Sequence, residues 1–583
     1  MIKKKFHLST TRLLDTWSLT KKNILLNKGC LDISKEQQVK KFNFLILNHP
    51  WDDRKKLIES INYLDNLSDR ILPNLSQKLN SLHNKKYSSK FWIIVLKRWL
   101  DLCINVFYER WLSIENFEEK YNNFSFKIID TSKKKFEISE LEDFNLLIRT
   151  DIYNHHLYSL ILKYKKLTNY ELIDYKEEYF SPHIKYWYNR NIITKIALNV
   201  LNFINYLFLR KSKIFLYDTY LGHINEFYLS SKLGIFGKPF VRFGCKNNLF
   251  DIKKREKIKI DLKPNNKFEE FIFSILHEFI PKSYVENFDS IFNVIKSFNW
   301  PENPKLIFTS HGMVKDVVAF YIAKKCEKGS KLILGQHGGS YFQFQEHWGE
   351  KNELKFSDKF ISWGHQGNKK IYNVGILKPL KLRKKNLEKG YNLFIIKSSL
   401  NYTGLLNSSS GINQHYKYLE DTVKFAKNLN KENLENLKVR FHSRKLGCNE
   451  ELFWKKELGK FNYDDGRKKI DKLYKHSRLV IHSYAVTGYL ETLAMNIPTI
   501  IFHNFKDSPF NEVATSDIQE LIKYNILHTN TKSAAIFLNK ISNDIDSWWN
   551  DPNLQKAKND FSNKYGRFEI NKINKLKQFL INS

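Results

Sequence analysis

Cysteine is scarce in this chain of 583 residues, and none of its five cysteines belongs to a Cys-x-x-Cys pair. They are odd in number and widely scattered, at Cys30, Cys103, Cys245, Cys326 and Cys448. This spacing supports neither a disulfide framework nor a cysteine zinc site. The sequence therefore predicts no bound metal ion and no other cofactor.

Long hydrophobic runs are also missing, since no stretch reaches the roughly 20 apolar residues that a membrane-spanning helix needs. Ile192–Leu209 comes nearest, but Thr194, Lys195 and several asparagines interrupt it. We predict a buried helix there, with contact to a membrane surface as the alternative. The N-terminal MIKKKFHLSTT lacks the apolar core of a signal peptide. These features predict a cytoplasmic protein, with peripheral contact to the anionic inner face of the plasma membrane as an option.

The charge of the chain is strongly positive, at a formal +35, and its hydrophobic content of 42% is that of a folded protein. Such charge suits an anionic membrane, phosphate-bearing substrates or nucleic acid. The sequence shows no zinc-finger pattern, RNP-type motif or compact arginine-rich arm, so nucleic acid is not expected as a partner. The length is too great for one ordinary core and predicts at least two domains.

One stretch of the C-terminal half, Leu479–Phe502, has the pattern of a strand, a turn, a helix and a second strand. Thr487 stands where a helix N-cap belongs and Gly488 follows it. A helix N-terminus binds phosphate through its free N–H groups and dipole, and Ser483 adds a hydroxyl. Glu491 lies one turn further on, within reach of a ribose. The alternative is a plain capped helix with a surface glutamate.

Two further strands of this half end in polar residues that can join the same site. The predicted strand Tyr391–Ile396 ends at Lys397, and Leu437–Phe441 ends at His442 and Arg444. The carboxyl ends of parallel strands lie on one edge of a sheet, where α/β proteins bind ligands. A cation, an imidazole and a helix N-terminus at that edge predict a phosphate or diphosphate site.

Upstream, two successive predicted strands end in glycine-containing turns. Lys305–Thr309 leads into His311, and Lys331–Leu334 leads into the sequence Gly-Gln-His-Gly-Gly-Ser-Tyr. The residues that we predict to bind an acceptor or phosphate here are His311, Gln336, Gly338 and Gly339, with His337 as a candidate base. A merely structural turn is the alternative.

Near the N-terminus, the predicted strand Phe42–Leu47 is followed by Asn48–Arg54, a segment with a histidine, two aspartates and an arginine. Asp52 or Asp53 can act as a general base, and Arg54 can hold an anion. The simpler interpretation is that one of the two aspartates only caps the helix that begins near Lys55. One carboxylate can serve both purposes.

These patterns predict an α/β fold of two domains. We place the first domain at residues 1–377, with a helical insertion at about 55–300. The polar stretch Lys378–Gly390 is the predicted linker. A second domain with terminal helices takes residues 391–583.

The sequence resembles a transferase family of bacterial O-antigen and surface-carbohydrate clusters. The resemblance lies in LSTTRLLDTW, WDDRKKL, GQHGGSYF, SDKFISWG and VTGYLETLAMNIPTIIF, and it extends over nearly the whole chain. The C-terminal half is also similar to GT-B glycosyltransferases, which have two facing Rossmann-like domains. In these enzymes the first domain brings the acceptor, and the second binds a nucleotide donor with a Glu on the ribose. The resemblance therefore implies a GT-B-like fold with an acceptor-side domain at 1–377 and a donor-binding domain at 391–583. Glu491, Thr487 and Gly488 match that pattern. His442 matches a strand-end histidine, although Ser443 stands where relatives often have proline.

From the residues and the resemblance together, we expect a glycosyltransferase-like enzyme. It would move a sugar from a nucleotide-activated donor to a surface glycan or lipid-linked glycan, without a metal ion. Asp52 or Asp53 is the first choice of base and His337 the second. The alternatives are a polyol-phosphate transferase of the CDP-glycerol type and a non-catalytic carbohydrate-binding protein.

Overall fold

The computed structural model describes residues 5–132, 136–179, 192–241, 248–383, 389–402, 404, 411–444 and 446–583. Cys245 and part of the predicted 378–390 linker lie outside these residues. The chain divides into two compact units, each discontinuous in sequence. The first unit is Met1–Tyr217, Gly234–Leu332 and Leu400–Asn413; the second is Asp218–Leu233, Ile333–Ser399 and Gln414–Ser583. The predicted division into acceptor and donor domains stays a prediction.

The first unit begins with a parallel sheet of five strands in the order β3-β2-β1-β4-β5. The strands are β1 (Phe6–Ser9), β2 (Lys22–Leu25), β3 (Phe44–Ile46), β4 (Phe124–Ile129) and β5 (Tyr170–Ile173). Its helices are α1 (Glu36–Val39), α2 (Arg54–Leu82), α3 (Ser89–Glu118), α4 (Leu141–Leu147) and α5 (Asp151–Tyr164). The long α2 and α3 pack together, and three tryptophans of α3, Trp92, Trp99 and Trp111, are buried.

The later part of the first unit continues with helices around two strands of a second parallel sheet. Strands β6 (Ile214–Leu216) and β7 (Leu306–Thr309) pair with each other. The helices are α6 (Ile192–Leu207), α8 (Ile252–Glu256), α9 (Lys267–Phe279), α10 (Phe288–Ser297) and α11 (Asp316–Cys326), while α7 (Gly222–Lys232) belongs to the second unit. The prediction that α6 is buried is wrong: Ile196, Val200 and Phe203 are each more than half exposed.

In the second unit, β8 (Lys331–Gly335) pairs with β9 (Lys359–Ser362), which pairs with β10 (Ile371–Asn373). Helix α12 (Trp348–Phe356) connects β8 to β9. Six further strands form the third sheet, β11 (Tyr391–Ile395), β12 (Leu437–Arg440), β13 (Asn462–Asp464), β14 (Ser477–His482), β15 (Thr499–Phe502) and β16 (Leu527–His528). The pairings β1–β4, β6–β7, β11–β12, β11–β14 and β14–β15 are parallel, which confirms the predicted α/β class. The facing arrangement of two Rossmann-like domains stays a prediction.

The third sheet has the order β13-β12-β11-β14-β15-β16. Helices cover both faces of this sheet, and its strands are therefore continuous apolar runs. The helices are α13 (Ile412–Lys427), α14 (Lys431–Glu435), α15 (Glu450–Leu458), α16 (Ile470–His476), α17 (Thr487–Ala494), α18 (Glu512–Lys523) and α19 (Thr531–Ile541). Neighbouring residues face opposite sides: Phe394 and Ile481 belong to one apolar cluster, Leu393 and Val480 to another. The chain continues with α20 (Ile545–Trp549), α21 (Pro552–Tyr565) and α22 (Lys572–Ile581).

Within the described residues, none of the helices combines the length and the apolar character needed to cross a membrane.

Candidate functional site

The strand order of the third sheet fixes where a ligand is expected. Reading outward from β11, the chain runs through β12 and β13 on one side and through β14, β15 and β16 on the other. This is the order typical of doubly wound dinucleotide-binding sheets, and their ligands bind at the carboxyl ends of the strands where the order reverses. In this chain that point lies between the ends of β11 and β14.

Lys397, two residues beyond β11, lies at this reversal point with Ser483, which follows β14. Ser483 Oγ donates to the carbonyl of Ile395 at 2.7 Å and lies 2.5 Å from the Tyr418 hydroxyl. The Tyr418 hydroxyl also accepts from the backbone N–H of Lys397 at 2.8 Å, and the Lys397 ammonium lies 4.9 Å from the Tyr418 ring centroid. Burial lowers the pKa of Lys397 to about 8, and the charge of Asp507 acts in the opposite direction. The site therefore holds a partly buried cation.

Thr487 is the first residue of α17, and the prediction that it is the N-cap is wrong: the cap is Val486, without a side-chain bond. The Thr487 hydroxyl instead accepts a hydrogen bond of 3.0 Å from the backbone N–H of Gly339. A Cβ at Gly339 would lie 2.6 Å from the carbonyl carbon of Val486 and 2.7 Å from Cα of Thr487. The glycine turn after β8 and the start of α17 are therefore in direct contact, and both belong to the second unit.

Gly488 is required by packing. A Cβ there would lie 2.8 Å from the ring carbon Cε1 of His482, whose Nε2 lies 3.1 Å from the Thr492 hydroxyl. Burial lowers the pKa of His482 to about 3, so this ring is neutral. Close approach of a phosphate to Gly488 stays a prediction. At Gly338, by contrast, the nearest atom to a built Cβ is Thr487 Oγ1 at 3.9 Å, which leaves space above that turn.

Glu491 is buried in α17 and forms an ion pair that the sequence does not reveal. The Lys378 ammonium lies 3.0 and 2.9 Å from its two carboxylate oxygens. Burial raises the pKa of Glu491, and the charge of Lys378 opposes that effect. The surface-glutamate alternative is therefore wrong. A ribose hydroxyl would have to share this carboxylate with Lys378.

Gln336 and His337 lie in the same turn but differ in their hydrogen-bond partners. The Gln336 amide donates to the carbonyl of Gly338 at 2.8 Å and accepts from the backbone N–H of Trp363 at 2.9 Å. Its predicted role as a donor to substrate would require breaking the bond to Gly338. His337 Nδ1 lies 3.2 Å from the Tyr341 hydroxyl, which donates to Glu353 at 2.7 Å. His337 is partly exposed and is oriented by this chain of hydrogen bonds.

The other donor-side candidates lie after β12, one strand away from the reversal point. His442 and Arg444 are exposed, and the backbone N–H of Arg444 donates to His442 Nδ1 at 3.0 Å. Their role in donor binding stays a prediction.

In the first unit, both aspartates near the N-terminus make capping bonds. Asp53 accepts from the backbone N–H groups of Lys55 and Lys56 at 2.9 and 3.4 Å. Asp52 accepts from the backbone N–H of His49 and from the amide of Asn413, each at 2.9 Å. The interpretation that one aspartate caps the helix is confirmed for Asp53. Asp52 does not cap α2 but completes the capping box of the short 3-10 turn Pro50–Asp52. A catalytic role for either, and anion binding by Arg54 or by the exposed His311, stay predictions.

Several residues of this arrangement escaped the sequence analysis. Lys378 lies in the stretch that predicts a linker, and Tyr418 lies inside an ordinary amphipathic helix. Tyr341 directly follows the glycine turn, and this position could have identified it as a partner of the residues in that turn. The sequence does not predict the role of Glu353, because this residue meets Tyr341 only after α12 has folded back onto the turn.

Comparison with known proteins gives one match over nearly the whole chain. A family model described as LIC12162 family transferase matches residues 6–580. Among solved structures, the crystal structure of MurG from Acinetobacter baumannii shows a weak similarity, with a TM-score of 0.31 and 10% sequence identity. The alignment covers 64% of this chain and 100% of the MurG chain. The comparison with curated proteins gives no match.

Proposed function

The chain belongs to the LIC12162 family of transferases, and on this premise we propose that it transfers a sugar from a nucleotide-activated donor. The acceptor would be a surface glycan of the O-antigen or capsule type, carried on a lipid. The donor would bind in the second unit, at the carboxyl ends of β11 and β14 and at the start of α17. The reaction would be independent of a metal ion.

The observation that supports this proposal most is the contact between the glycine turn and α17. Gly339 and Thr487 are far apart in sequence, yet the N–H of one donates to the hydroxyl of the other at 3.0 Å. The start of α17 has the unpaired N–H groups and the positive dipole end that favour phosphate. Gly338 leaves the adjoining space open. A nucleotide diphosphate in that space would meet backbone donors together with the ammonium of Lys397.

The chemical step needs a base for the acceptor and a stabilised leaving group. The acceptor hydroxyl oxygen would form a bond to the anomeric carbon, while the bond from that carbon to the diphosphate oxygen breaks. The diphosphate would keep the electron pair and be stabilised by the helix dipole and by Lys397. His337, oriented through Tyr341 and Glu353, can take the acceptor proton. Asp52 and Asp53 are the other candidates.

Contact with a membrane would suit a lipid-linked acceptor. Ile196, Val200 and Phe203 lie on one face of α6 at 59%, 56% and 61% exposure. Since the chain carries a formal charge of +35, an anionic bilayer is the surface that would attract it. Sedimentation with anionic and with neutral vesicles tests this part separately: the triple change of these residues to Ser should abolish the anionic-vesicle binding.

Calorimetric titration with CMP, CDP, UDP, GDP and dTDP tests the donor site. We expect Glu491→Ala and Thr487→Val each to weaken the best nucleotide by about 1–3 kcal/mol, the scale of a lost hydrogen bond to a charged or buried group. Glu457→Ala, an exposed pair partner of Lys427 in the same unit, is the control and should bind normally. Unchanged affinity in both site variants would remove the donor-site assignment.

Product analysis then distinguishes the reaction classes. Mass spectrometry after incubation with a panel of nucleotide sugars should show a new glycosidic product. Turnover of CDP-glycerol alone would instead mean attack at phosphorus and a polyol-phosphate transferase. Nucleotide binding without any product from a full acceptor panel would argue for a binding protein.

A further inference from the structure

Three side chains with metal-binding groups meet in the second unit. They are His415 on α13, Cys448 in the loop after β12 and Glu450 at the start of α15. Each offers one ligand atom, and the three atoms lie within 4.8 Å of one another. All three residues are buried. Among the described residues this is the one group of at least three such side chains that comes this close together.

The imidazole of His415 is only partly satisfied by hydrogen bonds. His415 is 0% exposed, and its Nδ1 has no hydrogen-bond partner among the described residues. The other ring nitrogen, Nε2, lies 3.2 Å from Glu450 Oε1 and so faces the cluster. More than nine in ten buried polar groups are paired, so a buried imidazole with one unpaired nitrogen calls for an explanation.

We propose that His415, Cys448 and Glu450 bind a zinc ion. A thiolate, an imidazole nitrogen and a carboxylate oxygen form a donor set that Zn²⁺ accepts in four-coordinate sites. Bond lengths of about 2.0–2.3 Å in a tetrahedron set ligand atoms about 3.3–3.6 Å apart. The three atoms, which lie within 4.8 Å of one another, would therefore have to approach by up to about 1.5 Å. Three protein ligands leave the fourth position to water.

The surroundings of Glu450 already have the hydrogen bonds that orient a metal ligand. Glu450 Oε1 accepts from the Ser398 hydroxyl at 2.8 Å and from the backbone N–H of Ser399 at 3.2 Å. Ligand carboxylates are typically held by such outer contacts. Because Ser398 and Ser399 follow Lys397, the zinc ion would fix the loop at the end of β11. This inference does not depend on the nature of the donor.

Zinc content and cobalt spectra test the proposal on the full chain without an affinity tag. After loading with zinc and extensive dialysis, mass spectrometry of the metal should find one zinc ion per chain. Cys448→Ser, His415→Gln and Glu450→Gln should lose it. The matched controls Cys326→Ser, His476→Gln and Glu451→Gln should keep it. Ser398→Ala should weaken zinc by about 10–100-fold, the usual effect of removing an outer hydrogen bond.

Substitution of cobalt(II) for zinc gives a second measurement. It is made on the unmodified chain, so it remains informative if a ligand variant does not fold. The unmodified chain should show the near-ultraviolet charge-transfer band of a cobalt–thiolate bond, and Cys326→Ser should keep that band. A cobalt complex without the thiolate band would overturn the proposal. So would a zinc content that is equal in the three ligand variants and the unmodified chain, or an absence of tightly bound zinc in all of them.

Discussion

The contact between the glycine turn and α17 can be tested by adding one methyl group to Gly339. A Cβ there would meet backbone atoms, the carbonyl carbon of Val486 at 2.6 Å and Cα of Thr487 at 2.7 Å, and side-chain rotation cannot move these atoms away. The turn or α17 has to shift, which endangers the hydrogen bond from Gly339 to Thr487. Overpacking of about 1–3 kcal/mol and a lost hydrogen bond of about 0.5–1.5 kcal/mol predict that Gly339→Ala destabilises by about 2–4 kcal/mol.

The matched control is the preceding residue. A Cβ at Gly338 has its nearest contact at 3.9 Å, so Gly338→Ala should change the free energy of unfolding by less than about 1 kcal/mol. Urea unfolding compares the two variants, and hydrogen exchange of peptides covering 335–343 and 487–494 shows where protection is lost. Gly339→Ala should lose protection in both peptides. Equal stability and equal exchange in the two variants would refute the contact.

Four other substitutions test the charged residues of the two units. Lys378→Met should leave the buried Glu491 carboxylate without this ion pair and lower the free energy of unfolding by about 2–4 kcal/mol near neutral pH. This loss should shrink as the pH falls, because the raised pKa of Glu491 lets the folded chain take up a proton. In urea unfolding, the further change Glu491→Gln should restore stability. Burial lowers the pKa of Lys397 to about 8, so the unfolded chain binds more protons between pH 8 and 10.5. Stability should therefore rise with pH in that window while diphosphate affinity falls, and calorimetry should show that Lys397→Arg keeps binding at high pH. Asp53→Ala should cost about 1 kcal/mol as a lost cap, whereas Asp52→Asn should lower turnover with the donor still bound; normal turnover in Asp52→Asn would exclude it as the base.

The prediction of the local elements from the sequence was successful in the C-terminal half. The predicted strands at 391–396, 437–441, 479–482 and 499–502 correspond to β11, β12, β14 and β15. Each is a short apolar run between polar turns, and such runs depend on neighbouring residues alone. The order of the third sheet then places Lys397 and Ser483 on either side of the reversal point, as the parallel-sheet argument expects.

Helix α6 shows where the same reasoning failed. Its apolar residues predict burial, yet Ile196, Val200 and Phe203 are exposed. An apolar helix face indicates that something should cover it, but the sequence does not say whether that cover is the protein's own core or an external surface.

The sequence by itself determined the α/β class, the positions of the strand ends and the residue types that lie at those ends, because these follow from the local spacing of apolar and polar residues. Only the tertiary structure decided the pairs: Gly339 with Thr487, Lys378 with Glu491, and His415 with Cys448 and Glu450. The partners in these pairs are separated by between about 30 and 150 residues. Hydrogen bonds and ion pairs act over only a few ångströms, so a pairing at such sequence distance depends on how the intervening strands and helices pack.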